Sequence, residues 1–212
     1  MAYKQVMTNL RSLAEKRGVR EPGKRMRSRL LDVAVERFKT EGLAGVSVAD
    51  IAAAAGAFPS QITYYFRTKE ALFVEAACRE VLYVARQAEE AAAGAPTGSS
   101  YNRRLVETVI GSPGLALFVE ALSLTRRRQD LAPLIERTFD RLHSQGDRAY
   151  AETRVRRGWA GGDDTATTAR RFWTLALGIA LREGATGAGV EEVVEEMLIL
   201  LQTGARQTGR SA

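Results

Sequence analysis

Cysteine and histidine are nearly missing from this chain, which has one of each among its 212 residues. A lone thiol, Cys78, cannot close an internal disulfide, so a reducing compartment, the cytoplasm, is the expected setting and packing the expected role. A lone histidine, His143, leaves no histidine pair for a metal. The sequence has no P-loop and no nucleophile elbow, and its glycine-rich run Gly184 to Gly189 has no strand before it, which argues against a nucleotide site. These absences speak against an enzyme, and no catalytic residue, metal ligand or cofactor is assigned. No apolar stretch approaches a membrane span, and the basic, polar start differs from a secretory signal. Alternating strand patterns are also missing, so the expected fold class is all-α.

What is present is unevenly distributed. Residues 1 to 69 hold 13 Lys+Arg against 6 Asp+Glu, a net +7, while residues 70 to 212 hold 18 against 19, a net −1. No lysine follows Lys69. A basic surface confined to the first third is the footprint of a phosphate-binding face.

The same third contains a helix-turn-helix pattern. Ser47 followed by Asp50 reads as a capping box opening a helix near Val48, with Ile51, Ala52 and Ala55 inward and small enough for close helix crossing. Gly56 supplies the turn. Pro59 or Ser60 starts a second short helix, in which Ile62, Tyr65 and Phe66 share the core face. Ser60, Gln61, Thr63 and Tyr64 remain outside, an amide, hydroxyl and phenol surface suited to base edges and phosphates.

From about Arg27 to Phe73 the chain resembles the DNA-binding domain of the TetR family of transcriptional regulators. The resemblance rests on Phe38, the Gly42 break, the Ser47 to Ala52 start, Gly56, Tyr64, Phe66, Lys69, Glu70 and Leu72. It implies that Ser47 and Tyr64 contact phosphate, that Gln61 and Thr63 lie at the groove, and that Lys69 holds phosphate from the start of the long helix that follows. With Ser60 and Tyr65 these form the candidate DNA-binding set. The family usually has tyrosine where this chain has Thr63 and often histidine where it has Tyr65. A small polar cap is usual where Phe58-Pro59 stands, so base specificity does not transfer residue by residue.

Residues 1–24 read as a basic extension, with a helix over Tyr3 to Lys16 and a linker over Arg17 to Arg25; a DNA-contacting arm and a solubilising tail both suit it. Residues 25–70 form the small three-helix DNA-binding domain, joined through a long helix to a larger helical bundle over 71–212. That helix is expected from a Thr68 cap to about Ala93. Breaks follow at Gly94 to Ser100 and Gly111 to Gly114, with further helices near Leu115–Thr125, Pro133–Arg157, Thr165–Arg182 and Val190–Arg206. Asp163-Asp164 reads as a helix cap.

The last two helices carry too many apolar residues for one buried stripe: Phe172, Trp173, Leu175, Leu177, Ile179 and Leu181, then Val190, Val193, Val194, Met197, Leu198 and Leu201. The resemblance implies that they pair with a second copy as a four-helix bundle, giving two recognition helices for two half-sites; the alternative is that they cap the chain's own core, and a polar residue at Leu198 is expected to yield monomers if they pair. An effector cavity among the middle helices is expected to draw on Phe118, Leu122, Phe139, His143, Tyr150 and Trp173. The expected protein is a homodimeric repressor that binds a palindromic double-stranded DNA operator and is released by a small, largely apolar effector, without membrane association. The competing class, a helical small-molecule or lipid-binding protein or an enzyme keeping the motif as scaffold, has no chemistry-bearing motif behind it.

Overall fold

The computed structural model describes residues 2–159, 164–187 and 189–205, with side chains described over 21–159, 164–187 and 189–202. Every regular element among them is helical: α1 (Ala2–Gly45), α2 (Val48–Ala54), α3 (Pro59–Phe66), α4 (Lys69–Ala92), α5 (Gly98–Ile110), α6 (Pro113–Thr125), a 3-10 turn (Gln129–Leu131), α7 (Ala132–Arg157), α8 (Thr165–Thr186) and α9 (Val190–Ala205). Two compact units divide inside α4, between Ala76 and Ala77. Among the described residues no single helix is long and apolar enough to cross a membrane.

Four expectations about boundaries change. The stretch from Arg17 to Arg25, expected as a linker, lies within α1, which continues through Pro22. Interior proline and the adjacent Gly23 both disfavour a helix, but proline's fixed φ is itself helical and the only non-helical backbone inside α1 is at Gly42, so the Pro22-Gly23 pair does not form a boundary here. The break after α4 is shorter than expected because Thr97 caps α5, its hydroxyl accepting the Ser100 N–H at 3.2 Å, so Gly98 to Ser100 are helical. Likewise α6 begins at Pro113, after a Ser112 cap, and α8 runs on to Thr186. The Gly42 break is present, with φ 67° and ψ 176° inside α1. Asp164 caps α8 by accepting the Thr167 N–H at 2.8 Å; Asp163 and Arg206 lie outside the described residues.

The N-terminal unit packs Leu30, Ala34 and Phe38 of α1 against Ile51 and Ala52 of α2, Ile62 and Phe66 of α3, and Leu72 and Phe73 of α4, all buried. Phe38 meets Phe73 edge-on at 5.1 Å, and the Arg27 guanidinium lies 4.9 Å over the Phe66 ring while pairing with Glu75. In the C-terminal unit α4 continues its apolar stripe through Ala77, Val81, Val84 and Ala88 against α5, α6 and α7. Gly114 allows α6 to lie close to α4, since a Cβ there would fall 2.7 Å from Glu80 Cγ and 2.9 Å from Val84 Cγ2.

Leu198 does not lie where the interface reading places it. It is only 6% exposed and packs inside its own chain with Val193, Val194, Met197 and Leu201. The outward apolar residues of the last two helices are Leu181, Val190, Ile199 and Leu200, with Ile199 62% exposed and Leu181 59%. One residue along a helix turns a side chain by about 100°, enough to exchange an inner position for an outer one.

Candidate nucleic-acid interface and effector cavity

The turn between α2 and α3 follows from local chemistry. Ser47 Oγ accepts the Asp50 N–H at 3.1 Å while Asp50 Oδ2 accepts the Ser47 N–H at 3.1 Å, and the Ser47 hydroxyl donates to the same carboxylate. Those hydrogen bonds hold the Asp50 carboxyl below the usual carboxylate range. The chain leaves α2 through Gly56 at φ +62°, a left-handed residue where a Cβ would be strained. The Ser47 N–H and O–H are therefore both donated to Asp50, and together they fix the start of α2.

Helix α3 divides as its spacing predicts. Ile62 and Phe66 are buried, Ser60, Thr63 and Tyr64 are exposed, Tyr64 to 80%, and Gln61 and Tyr65 are intermediate. Tyr65 stacks edge-on with Tyr64 at 4.9 Å, but its hydroxyl lies beside α1, 3.3 Å from where a Cβ on Gly23 would stand. Gln61 Oε1 accepts the Phe58 N–H at 3.0 Å, which leaves its NH2 group outward as a donor for base or phosphate acceptors. Phe58 occupies the N-cap without any side-chain hydrogen bond. A polar residue there is worth about 1 kcal/mol more.

Lys69 does something the spacing alone did not reveal. Its Nζ donates to the carbonyls of Leu43 at 2.8 Å and Val46 at 2.9 Å, closing the open end of α1 after the Gly42 break. Two of its three ammonium protons are thus engaged by carbonyls of its own chain. Just before it, Arg67 has φ 69° and ψ −53°, and the Thr68 N–H donates to Phe66 O at 2.9 Å. That is a γ-turn of the strained, positive-φ hand, joining the outward helix to α4.

In the C-terminal unit a cavity of about 30 Å³ lies between α4, α5, α7 and α8. Its walls are apolar, from Ala85, Ala88, Leu105, Val109, Leu142 and Phe172, with Tyr101, Tyr150 and Trp173 adding aromatic faces and Glu89 the one carboxylate. Tyr150 donates to Asn102 Oδ1 at 3.0 Å and meets the Tyr101 ring at 5.5 Å. Desolvation and the neighbouring Tyr101 push the Tyr150 phenol above its ordinary range. Burial pushes the Glu89 carboxyl up; Arg148 opposes this, while Glu152 and Glu90 add to it. Among the described residues no hydrogen bond or ion pair reaches Glu89.

Tyr150 and Trp173 were expected at this cavity and line it. Phe118, Leu122, Phe139 and His143 do not. Phe118 and His143 instead flank Phe139, each 5.7 Å from it, along a separate aromatic row. Burial and then Arg170 lower the His143 pKa, with Asp140 opposing. Leu142, Gly146 and Ala149 face the cavity from α7. The aromatic count predicted the region but not the stripe. Glu89 was legible in principle, as a charge beside the inner row Val81, Val84, Ala85, Ala88. Among the described residues no three His, Cys, Asp or Glu side chains converge to hold a metal.

Comparison with known proteins follows this division. Residues 30–76 match the model of bacterial regulatory proteins of the tetR family, and residues 98–202 match that of the bacterial transcriptional repressor C-terminal domain. A solved protein assigned as a transcriptional regulator from Rhodococcus sp. RHA1 is 37% identical, with 85% of this chain and 95% of that one aligned at a TM-score of 0.74. This chain belongs to the TetR family. Other TetR-like structures share its architecture at lower identity. The multidrug binding protein EbrR complexed with ethidium is 25% identical, with 82% and 97% of the two chains aligned and a TM-score of 0.57. The fatty acid degradation regulator FadR from Bacillus halodurans is 18% identical, with 85% and 96% aligned and a TM-score of 0.62. No significant sequence match is found among curated proteins. Within this TetR-family regulator the N-terminal unit is the DNA-binding part, and the C-terminal unit has the fold that binds effectors.

Proposed function

We propose that the protein is a cytoplasmic homodimeric repressor whose two α3 helices read a palindromic operator, and that an apolar effector bearing one positive charge releases it by entering the cavity at Glu89. Residues 25–70 then serve DNA binding and 71–212 effector binding and pairing. The outward face of α3 carries the first half of this reading. Ser60 and Thr63 offer hydroxyls, Tyr64 a phenol and Gln61 an amide donor, from a helix whose opposite side is locked in the core. Tyr64→Phe is expected to weaken operator binding about three- to ten-fold with an unchanged salt slope, because an uncharged phosphate contact displaces no counterion. Gln61→Ala should flatten base preference at one position per half-site. Equal losses on all sequences would remove Gln61 from base reading.

Pairing through α8 and α9 is supported by the outward Leu181, Ile199 and Leu200 and by Gly178 in mid-α8. Nothing lies within 4 Å of where a Gly178 Cβ would stand. An interior helical glycine costs about 1 kcal/mol relative to alanine. A second helix crossing closely at that point accounts for it.

The effector's class follows from Glu89 among Tyr101, Tyr150, Phe172 and Trp173. Among the described residues no cation is bonded to Glu89, on which Arg148 acts only through its field, and a half-buried carboxylate so placed favours a ligand that brings a cation, as do the aromatic faces. Ethidium, bound by the related EbrR, is such a molecule. A cavity of about 30 Å³ admits little more than a water or two, so binding must displace its walls, and α4 carries both Glu89 and Lys69. Without DNA present, an aromatic ammonium compound is expected to bind about ten-fold tighter than its neutral isostere, a difference of about 1.4 kcal/mol. Glu89→Gln should abolish that preference. Because burial raises the Glu89 pKa, cation binding should strengthen as pH rises through the raised value and fade below it. Equal affinity for the charged and neutral probes, or a preference that survives Glu89→Gln, would overturn this effector class.

A further inference from the structure

Phe58 is 76% exposed at the mouth of the outward helix, an unusual place for a phenyl ring. Its backbone is fixed by its surroundings. Pro59 at the first helical position confines the preceding residue to extended backbone, observed here at φ −97° and ψ 147°. The Phe58 N–H is tied to Gln61 Oε1 at 3.0 Å and its carbonyl accepts the Gln61 N–H at 2.9 Å. Both backbone polar groups are thus engaged. Among the described residues no other ring pairs with Phe58. The position gives up a polar cap and leaves an apolar ring in water, so two local preferences are set aside for one side chain.

The first residues of a recognition helix are those that face base edges in a helix-turn-helix docked in the major groove. On those edges only thymine presents an apolar group, its C5 methyl, and phenylalanine is among the side chains that pack against it. We infer that Phe58 reads a thymine methyl, one in each half-site, and so sets specificity at a position that Ser60, Gln61 and Thr63 do not cover. The inference rests on the groove-facing reading of α3 proposed above. It also gives the Phe58-Pro59 departure from the usual small polar cap a function: hydrogen bonding is exchanged for methyl recognition.

Replacing thymine by deoxyuridine removes that methyl and leaves every hydrogen-bonding group in place. Operators selected from genomic fragments with the full-length protein would be rebuilt with deoxyuridine at each thymine in turn, symmetrically in both half-sites. The wild type is expected to lose about four-fold in affinity per half-site at one position, the value of a single methyl removed from contact. Phe58→Ala should bind the unmodified operator more weakly and be indifferent to deoxyuridine at that position. Phe58→Leu, which keeps an apolar contact, should retain part of the sensitivity, and unchanged thermal melting would establish that both variants fold. Sequence-selective binding blind to every thymine methyl, or an alanine variant as methyl-sensitive as the wild type, overturns the assignment of Phe58 alone. A bend in the DNA that disappears in Phe58→Ala without methyl sensitivity would make the ring a wedge between bases and overturn methyl reading. Failure to select any sequence overturns the groove-facing reading of α3 as well.

Discussion

Ile199→Asp is expected to yield a folded monomer, and Leu198→Asp a strongly destabilised chain. The two residues are adjacent in α9 but differ about ten-fold in exposure, 62% against 6%. A carboxylate at position 198 would be enclosed by apolar side chains, Val194 and Leu201 of its own helix among them. Such a change costs about 4 kcal/mol or more, equivalent to about 10 °C or more of melting temperature in a chain of this size. At position 199 the same carboxylate stays in water within one subunit, so its effect on monomer stability should remain within about 1 kcal/mol. In a paired four-helix bundle it would be buried against its own copy, where like charges repel. Sedimentation should therefore report monomers for Ile199→Asp with an unaltered far-ultraviolet spectrum, and operator affinity should fall because the two half-sites are no longer bound together. A dimer that persists in Ile199→Asp and in Leu181→Asp would place the pairing surface away from α8 and α9.

The contrast between those neighbours indicates which features a sequence makes legible. Periodicity located α2, α3, α4 and α8, and the caps Ser47, Thr68 and Asp164 located the starts of α2, α4 and α8, because both depend on residues a few positions apart. The division of α3 into Ile62 and Phe66 inward and Thr63 and Tyr64 outward was legible for the same reason. What escaped depends on distant partners. In α9 nearly every apolar position is a candidate for either face, and only packing against α5 and α8 separates Leu198 from Ile199. Phe118 and Phe139 have the composition of pocket residues but occupy a neighbouring stripe of the bundle. Lys69 has the chemistry of a phosphate ligand, yet its carbonyl partners, 26 and 23 residues earlier, are brought to it by the fold.

That placement makes Lys69 a source of stability, and its removal should be felt first in folding. In Lys69→Met, the carbonyls of Leu43 and Val46 lose a charged donor in a part-buried setting, at a cost of about 3 kcal/mol. The methionine stem preserves most of the packing, so the loss reports the ammonium. Arg67→Gly should act in the opposite direction. A non-glycine residue at φ 69° stores about 1 to 3 kcal/mol of strain, from which the greater unfolded-state freedom of glycine subtracts about 0.5 to 1 kcal/mol, leaving a net gain near 1 kcal/mol. The two variants also separate a structural role for Lys69 from direct phosphate binding. If the ammonium only closes α1, Lys69→Met should melt early yet bind operator with the wild-type salt slope once cooled well below its melting point, and Arg67→Gly should recover part of the lost stability in the double variant. If it holds phosphate, the melting temperature should barely move while the slope falls by about 0.9 for each subunit's lost contact.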